Sequence, residues 1–293
     1  MYIIFALFTG GLISSLVVFN GQLAQSTGLF LSAVIIHFVG VALSLVFMVL
    51  GIMKFRWKKG LPLWMYLGGV IGVAATFLNN YAFNYISVTN IVALGLLAQM
   101  VFSLVIDQLG LFGMQKRPIP FLAAGGVALA FVGIYVMLDF SQLDAILSII
   151  CSFAAGMSLV MVRTVNARLG QQIGQLESAF VHHLVGGIFS TILLLLFAAN
   201  QISSATLPKS LFPYLGGVFG LFVILLFNLV VPHLSSFLVT ILSFLGQIAG
   251  SLALDYILGS PWNKSVLIGS ALLAVGIVWT QLAAARSKNA ADR

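Results

Sequence analysis

The sequence predicts an all-helical membrane protein with ten transmembrane helices, arranged as two inverted repeats of five helices each. Three observations predict this fold: the composition, the length of the apolar segments and an internal repeat. Only 6% of the 293 residues are charged, 61% are hydrophobic, and the mean hydropathy is +1.16. Because soluble domains carry about a quarter charged residues, this composition indicates a chain that lies mostly within a lipid bilayer.

The apolar segments have the length of membrane-spanning helices. A hydrocarbon core of ~30 Å requires roughly 20 apolar residues per helix, and charged or turn-rich breaks divide the chain into ten such segments. The segments are continuously apolar and about twice as long as the strands of a membrane barrel, which favours helices. The predicted spans cover residues 3–23, 31–53, 63–83, 88–109, 120–138, 145–165, 177–198, 210–231, 236–257 and 265–285.

The first span is predicted to be permanent. Its sequence, MYIIFALFTGGLISS, lacks the basic start and the small-residue cleavage site of a secretory signal. The single cysteine, Cys151, lies within the sixth span, so an intrachain disulfide is excluded.

The distribution of basic residues predicts the orientation of the chain. When the ten spans are threaded through a membrane, one side receives only Lys209 and Lys264, and the other receives eleven basic residues. The positive-inside rule then places both termini in the cytoplasm. The net charge of +7 is therefore explained by the orientation of the chain in the membrane, and no nucleic-acid partner is predicted. The eleven residues are Lys54, Arg56, Lys58, Lys59, Lys116, Arg117, Arg163, Arg168, Arg286, Lys288 and Arg293.

An internal repeat relates the two halves of the chain. Between residues 20 and 40, a shift of 146 retains nine of 21 residues, including two polar pairs, Asn20/Asn166 and His37/His183. A shift of 148 then aligns YLGGVIG with YLGGVFG and matches four polar pairs further along. Apolar residues match easily by chance in such a chain, whereas amides and histidines do not. The four pairs are Asn80/Asn228, Gln99/Gln247, Ser103/Ser251 and Asp107/Asp255, and a shift of 143 adds Gly126/Gly269 and Gly133/Gly276.

The repeat predicts two inverted domains, residues 1–140 and 141–293. Each unit has five predicted spans, and an odd number makes the second unit enter the membrane from the opposite face. Transporters built in this way hold the substrate near the midplane between the repeats and alternate access by rocking the halves.

Polar residues recur at intervals of four in the fourth and ninth spans. Gln99, Ser103 and Asp107 therefore form a stripe along one helix face that rises about 12 Å, and lipid contact would be costly for it. Inversion places both glutamines at the centre and one aspartate toward each mouth. We predict substrate binding by Gln99, Gln247, Asn80, Asn228, Ser103 and Ser251. Interhelical hydrogen bonding is the alternative for the amides and hydroxyls, and helix anchoring is the alternative for the aspartates.

The histidines are the second group of candidates. His37 and His183 each lie roughly two turns into the second span of their unit. We predict that these two histidines, with Asp107 and Asp255, serve gating or coupling; an interhelical hydrogen bond is the alternative for the histidines. His182 and His233 have no repeat partner and are weaker candidates.

Asn20 and Asn166 close the first predicted span of each unit. A cap or turn role is at least as favoured for both as contact with a ligand.

Catalytic and metal-binding patterns are missing from the sequence. It contains no HExxH, GxSxG or P-loop motif and no cysteine cluster, so neither an enzyme nor a cofactor or metal is predicted. An intramembrane enzyme built on Asp107 and Asp255 is disfavoured, because inversion directs the two carboxylates toward opposite membrane faces.

The first unit carries the segments NGQLAQSTG and SAVIIHFVG within residues 20–40, YLGGVIG, and QMVFSLVID, and the second unit carries NARLGQQIG and GQIAGSLALD. These segments resemble the bacterial YdcZ family of the drug/metabolite transporter superfamily. The chain looks like a fused pair of the five-span units common in that family. It departs from the family pattern at Ala98, where a glycine is usual before Gln99.

This resemblance implies the ten-helix inverted-repeat fold of drug/metabolite transporters and the export or exchange of small molecules, often coupled to protons, in the bacterial inner membrane. The small multidrug exporters of the superfamily rely on a glutamate in the first span. This chain has no acidic residue there, which disfavours a cationic drug as the substrate.

The leading interpretation is a secondary transporter of a small polar or amphipathic metabolite that acts as a monomer or homodimer. The alternative is a non-transporting membrane scaffold or partner subunit in which all the polar residues join helices. A channel is disfavoured, because the few central polar groups do not form a continuous polar path.

Overall fold

The computed structural model describes residues 1–53, 58, 60–111, 120–138, 143–230, 236–260 and 264–291. Within these ranges, the side chains of residues 107, 224, 225, 227–229, 236–240 and 285–291 are not described. All of the regular secondary structure in the described part of the chain is helical.

Each predicted span contains one helix of at least 15 residues, and a further short helix, Gln201–Ser204, lies between the seventh and eighth predicted spans. The helices are α1 Tyr2–Thr27, α2 Leu29–Val49, α3 Gly68–Ala82, α4 Val88–Leu109, α5 Phe121–Met137, α6 Leu143–Ile173, α7 Gln175–Phe197, the short α8 Gln201–Ser204, α9 Leu215–Val230, α10 Ser236–Ile257 and α11 Lys264–Ala291. Short 3₁₀ turns, Leu63–Tyr66 and Phe212–Tyr214, precede α3 and α9.

The helices have the character of a membrane protein. Six of those described are long and apolar enough to cross a bilayer: α1, α2, α4, α6, α7 and α11. Three further apolar stretches, Phe121–Met137, Phe212–Val223 and Ile241–Ile257, are shorter.

A single glycine separates the first two helices of each half. Gly28 lies between α1 and α2 with φ 86°, and its repeat counterpart Gly174 lies between α6 and α7 with φ 109°. A residue with a Cβ would be strained at such φ values, so glycine permits the direct turn from one helix into the next.

The helices before these glycines are longer than predicted. Helix α1 continues to Thr27 and α6 continues to Ile173, so Asn20 and Asn166 lie inside helices. The expected cap or turn role for the two asparagines is therefore wrong. Their side chains contact glycines of the other half instead: Asn20 lies against Gly216 and Asn166 against Gly68.

Most of the larger contacts between the halves recur when the two repeats are exchanged. Exchange replaces α1, α2, α3, α4 and α5 by α6, α7, α9, α10 and α11. Helices α2 and α7 pack on each other, as do α5 and α11, so each of these four meets its own counterpart. Three further contacts each have an equivalent: α1–α10 with α6–α4, α3–α6 with α9–α1, and α3–α7 with α9–α2. Helix α4 also packs on its own counterpart α10 and on α11.

Close contacts at glycines show that α5 and α11 run in opposite directions. Gly126 lies against the backbone of Gly276, and Gly133 lies against the backbone of Gly269. As residue numbers rise along α5, they fall along α11, so the helices are antiparallel. Small residues allow this close backbone approach in membrane helices, where packing replaces hydrophobic attraction.

Helices α2 and α7 are also antiparallel. Gly40 of α2 lies against the ring of His183, and Gly186 of α7 lies against the ring of His37. Each imidazole thus occupies the space that a glycine of the facing helix leaves open.

The main hydrophobic core lies between α4, α5, α10 and α11. It includes side chains that are almost fully enclosed, such as Leu96, Leu97, Leu273 and Ile277. This core joins both halves, because α4 and α5 belong to the first repeat and α10 and α11 to the second.

The first turn of α4 is capped by residues from both halves. The Ser87 hydroxyl accepts a hydrogen bond from the Asn90 amide at 3.2 Å. The Asp255 carboxylate of α10 accepts bonds from the Val88 and Thr89 amides, each at 2.8 Å. The first three amides of α4 are therefore satisfied, and the carboxylate also lies favourably at the positive end of the helix dipole.

We expect Gly126→Ala to destabilise the protein by about 1–3 kcal/mol, because its Cβ would overlap the backbone of α11. Thermal unfolding of the purified protein in detergent measures the change. Gly11→Ala is the matched control, since a Cβ at Gly11 meets open space. Equal melting temperatures for Gly126→Ala and the wild type would contradict the close α5–α11 contact.

We expect Asp255→Ala to lower the free energy of unfolding by about 1–3 kcal/mol, because two buried amides of α4 lose their acceptor. Asp255→Asn retains one acceptor oxygen, so its effect should be smaller. Asp144→Asn, at an exposed position in the first turn of α6, is the control. Unfolding curves of the four proteins test the cap, and a wild-type curve for Asp255→Ala would refute it.

Candidate functional site

The two glutamines of the predicted site are both buried. Gln99 on α4 is 8% exposed, and Gln247 on α10 is 4% exposed. The Gln247 amide nitrogen donates to the carbonyl of Ser243, one turn earlier on the same helix, at a long 3.4 Å. A bond of that length is weak, so the amide is available to exchange it for a better partner.

The serines of the two stripes differ in burial. Ser251 is buried, and its hydroxyl donates to the carbonyl of Ile248 in its own helix at 2.9 Å. Ser103 is half-buried.

Asn80 is a buried amide with an unused oxygen. Its nitrogen donates to the Ser32 hydroxyl on α2 at 3.4 Å, while Oδ1 has no hydrogen-bond partner among the described residues. Buried polar atoms are nearly always hydrogen-bonded in folded proteins, so the Asn80 oxygen is an unfilled acceptor. The side chain of its repeat counterpart, Asn228, lies outside the described residues.

The two aspartates are described to different extents. Asp255 is buried and caps α4, as given above, which provides a structural role for its carboxylate. Asp107 lies in α4, but its side chain is outside the described part of the structure. The gating or coupling roles of both residues stay predictions.

Three histidines converge where α2 packs on α7. The ring centroid of His37 lies 5.5 Å from that of His183 and 5.6 Å from that of His182, and the two α7 rings are 5.2 Å apart. We refer to His37, His182 and His183 as the histidine cluster. Its coordinating nitrogens all lie within 4.8 Å of one another.

The histidine cluster is enclosed, and several of its nitrogens are unused. His37 is 2% exposed and His183 is 5% exposed. Both ring nitrogens of His37 and Nδ1 of His183 have no hydrogen-bond partner among the described residues. His182 is half-buried, and its Nδ1 lies 3.1 Å from Nδ2 of Asn166.

Sequence comparison of the repeats ranked His182 below His37 and His183. The equivalent position of the first half is Ile36, so His182 has no repeat partner. The adjacent pair His182 and His183 was the available signal. Adjacent helix residues point about 100° apart, so a histidine on the facing helix can lie against both rings.

A surface groove of about 430 Å³ lies away from these residues. Its lining is apolar and comes from α5, α10 and α11: Leu122, Leu245, Ala274, Val275, Val278, Trp279, Leu282 and Ala283. It shares no lining residue with the predicted site. A binding site for a polar molecule needs convergent polar groups, which this groove lacks.

The candidate site is therefore made mainly of uncharged hydrogen-bonding groups. Amides of α3, α4 and α10 and imidazoles of α2 and α7 are buried between the helices. The one described carboxylate among the predicted residues, Asp255, is already bonded to backbone amides. Such a set suits a polar ligand that exchanges hydrogen bonds.

Comparison with solved structures relates the fold to a known one. A protein whose title reads only "Crystal structure of protein" matches with a TM-score of 0.58 and 17% sequence identity. The match covers 96% of this chain and 98% of that one. At this identity the likeness concerns the fold alone. A comparison with curated proteins gave no match.

A protein family matches the sequence in two segments. The family is described as "Putative inner membrane exporter, YdcZ", and it matches residues 1–136 and 147–279. Together these segments cover most of the chain and leave a short gap where the repeats join. The chain belongs to the YdcZ family of inner membrane exporters and contains two units of that family.

Proposed function

We propose that the protein is a secondary transporter that exports or exchanges a small polar or amphipathic metabolite across the bacterial inner membrane. Membership of an exporter family supports transport in general. The observation that carries the mechanism is the antiparallel packing of α2 on α7 and of α5 on α11. Equivalent helices that run in opposite directions are what two oppositely inserted five-helix units require.

Alternating access follows from this arrangement. The units 1–140 and 141–293 rock against each other and expose a central site first to one face and then to the other. Because most of the larger contacts between the halves have an equivalent, contacts opened on one side have counterparts that close on the other.

The proposed substrate site consists of the central amides and hydroxyls, with Gln99 and Gln247 as the main ligands. Their burial and the unused oxygen of Asn80 support this assignment. Asn228, Ser103 and Ser251 complete the site. A small molecule with several hydrogen-bonding groups would replace the long bonds that Gln247 and Asn80 make without substrate.

The gating and coupling groups are assigned to the interfaces between the halves. His37 and His183 lie where α2 meets α7, so rocking the halves changes their contact. Asp255 ties α10 to the start of α4, and Asp107 is its repeat counterpart. If protons drive export, an imposed pH gradient accelerates transport; a rate indifferent to the gradient would exclude proton coupling.

A membrane scaffold is the second candidate function. The internal bonds of Ser251 and Asp255 favour it, since these groups already join or stabilise helices. A scaffold requires no substrate binding, so the transport assay below separates the two functions.

We expect the double variant Gln99→Ala/Gln247→Ala to lose transport. Two lost hydrogen bonds of about 1 kcal/mol each weaken substrate binding roughly 30-fold. A thermal-shift screen of metabolites first selects ligands that stabilise the wild type, and uptake into liposomes then measures transport. Gln281→Ala on α11 is the matched control. Equal uptake by the double variant and the wild type across the panel would refute the site assignment.

We expect residues 58 and 206 to lie on opposite faces of the membrane, with both termini in the cytoplasm. Lys58→Cys and Thr206→Cys place thiols at exposed positions, in a background in which Cys151→Ser removes the native one. A membrane-impermeant maleimide applied to spheroplasts should label only Thr206→Cys. Labelling of Lys58→Cys before the cells are permeabilised would contradict the orientation.

A further inference from the structure

We infer that the histidine cluster is a binding site for a transition-metal cation of the Zn²⁺, Cu²⁺ or Ni²⁺ class, held by one imidazole nitrogen each from His37, His182 and His183. The site lies at the α2–α7 contact and does not depend on Gln99 or Gln247. It uses none of the residues assigned to the substrate site proposed above.

The geometry of the cluster is close to that of a three-histidine site. Zinc–nitrogen bonds of about 2.0–2.1 Å place the nitrogens of a tetrahedral site roughly 3.3–3.5 Å apart. The nitrogens of the cluster already lie within 4.8 Å of one another. Rotation of the rings about their side-chain torsions closes the remaining distance and leaves a fourth position open.

The unused nitrogens point to a missing ligand. His37 is buried, and both of its nitrogens lack a partner among the described residues; Nδ1 of His183 is in the same state. Burial without a partner is unfavourable for such atoms, and an unoccupied ion site is one of its few explanations. A metal bound between the rings would engage one nitrogen of each.

His182 also has hydrogen-bonding contacts outside the cluster. Its Nδ1 lies 3.1 Å from Nδ2 of Asn166, and the ring hydrogen-bonds the backbone of Gly68. A metal-binding histidine usually donates its second ring N–H to an acceptor, which fixes the ring orientation, and the Gly68 backbone is an acceptor of that kind beside His182.

The ligand chemistry selects the class of metal. Imidazole nitrogens suit Zn²⁺, Cu²⁺ and Ni²⁺, whereas Ca²⁺ and Mg²⁺ require oxygen ligands. The described carboxylates of Asp144, Glu177 and Asp255 are not part of the cluster. A hydroxide or another small anion in the fourth position would offset part of the charge of a divalent ion.

The experiment uses the full-length chain in detergent, purified without a histidine tag and treated with a chelator. Added Zn²⁺ should raise the melting temperature and bind with a stoichiometry of one. Co²⁺ should give the intense visible absorption of a four-coordinate site. Mg²⁺ and Ca²⁺ should have no effect.

Substitutions locate the bound ion. His37→Gln and His183→Gln should each weaken Zn²⁺ binding by about tenfold or more. His233→Gln is the matched control, because the sequence places His233 between the eighth and ninth predicted spans. It should bind Zn²⁺ like the wild type.

Three outcomes would overturn the inference. The first is the absence of Zn²⁺ and Co²⁺ binding by folded wild-type protein, which would leave the imidazoles to bind protons or one another. The second is an equal loss of affinity in His233→Gln. The third is a weak, six-coordinate Co²⁺ spectrum in the wild type, a measurement that decides the question even if the cluster variants fail to fold.

Discussion

The bundle depends on close backbone contact between helices that are equivalent in the two repeats and run in opposite directions. Lipid tails are as apolar as the side chains, so helices gain little by hiding apolar surface from them. Packing distance therefore decides which helices associate. At α5 and α11, Gly126 meets Gly276 and Gly133 meets Gly269 with no side chain between the backbones. At α2 and α7, the space beside Gly40 and Gly186 is filled by imidazoles.

These two interfaces differ in what they provide. Helices α5 and α11 form an apolar core with α4 and α10, and this core includes Leu97 and Leu273. The core holds the two halves together. Helices α2 and α7 bring imidazoles of the two halves into contact. A change in how these helices pack would therefore alter the distance between the rings. The antiparallel packing of equivalent helices thus produces an apolar contact at α5 and α11 and a contact between imidazoles at α2 and α7.

The sequence was sufficient to predict the long helices, the membrane setting and the family, because each follows from hydropathy or from residues shared by the repeats. It failed where tertiary contact overrides local signals. Asn20 and Asn166 look like helix ends, yet the helices continue to the positive-φ glycines and the amides contact another helix. Asp255 lies far from Val88 in the chain, so only the fold reveals the cap. His182 lacks a repeat partner, so the comparison of the repeats ranked it below His37 and His183.

The pairing of α2 with α7 has an evolutionary consequence. In an assembly of two identical units, every substitution at this interface would appear twice, and a residue near the symmetry axis would face its own copy. A single chain that carries both units is free of that restriction. His37 and His183 match between the units, while Ile36 and His182 differ. The interface therefore carries two imidazoles from α7 and one from α2. Two identical subunits related by symmetry could not produce this asymmetry.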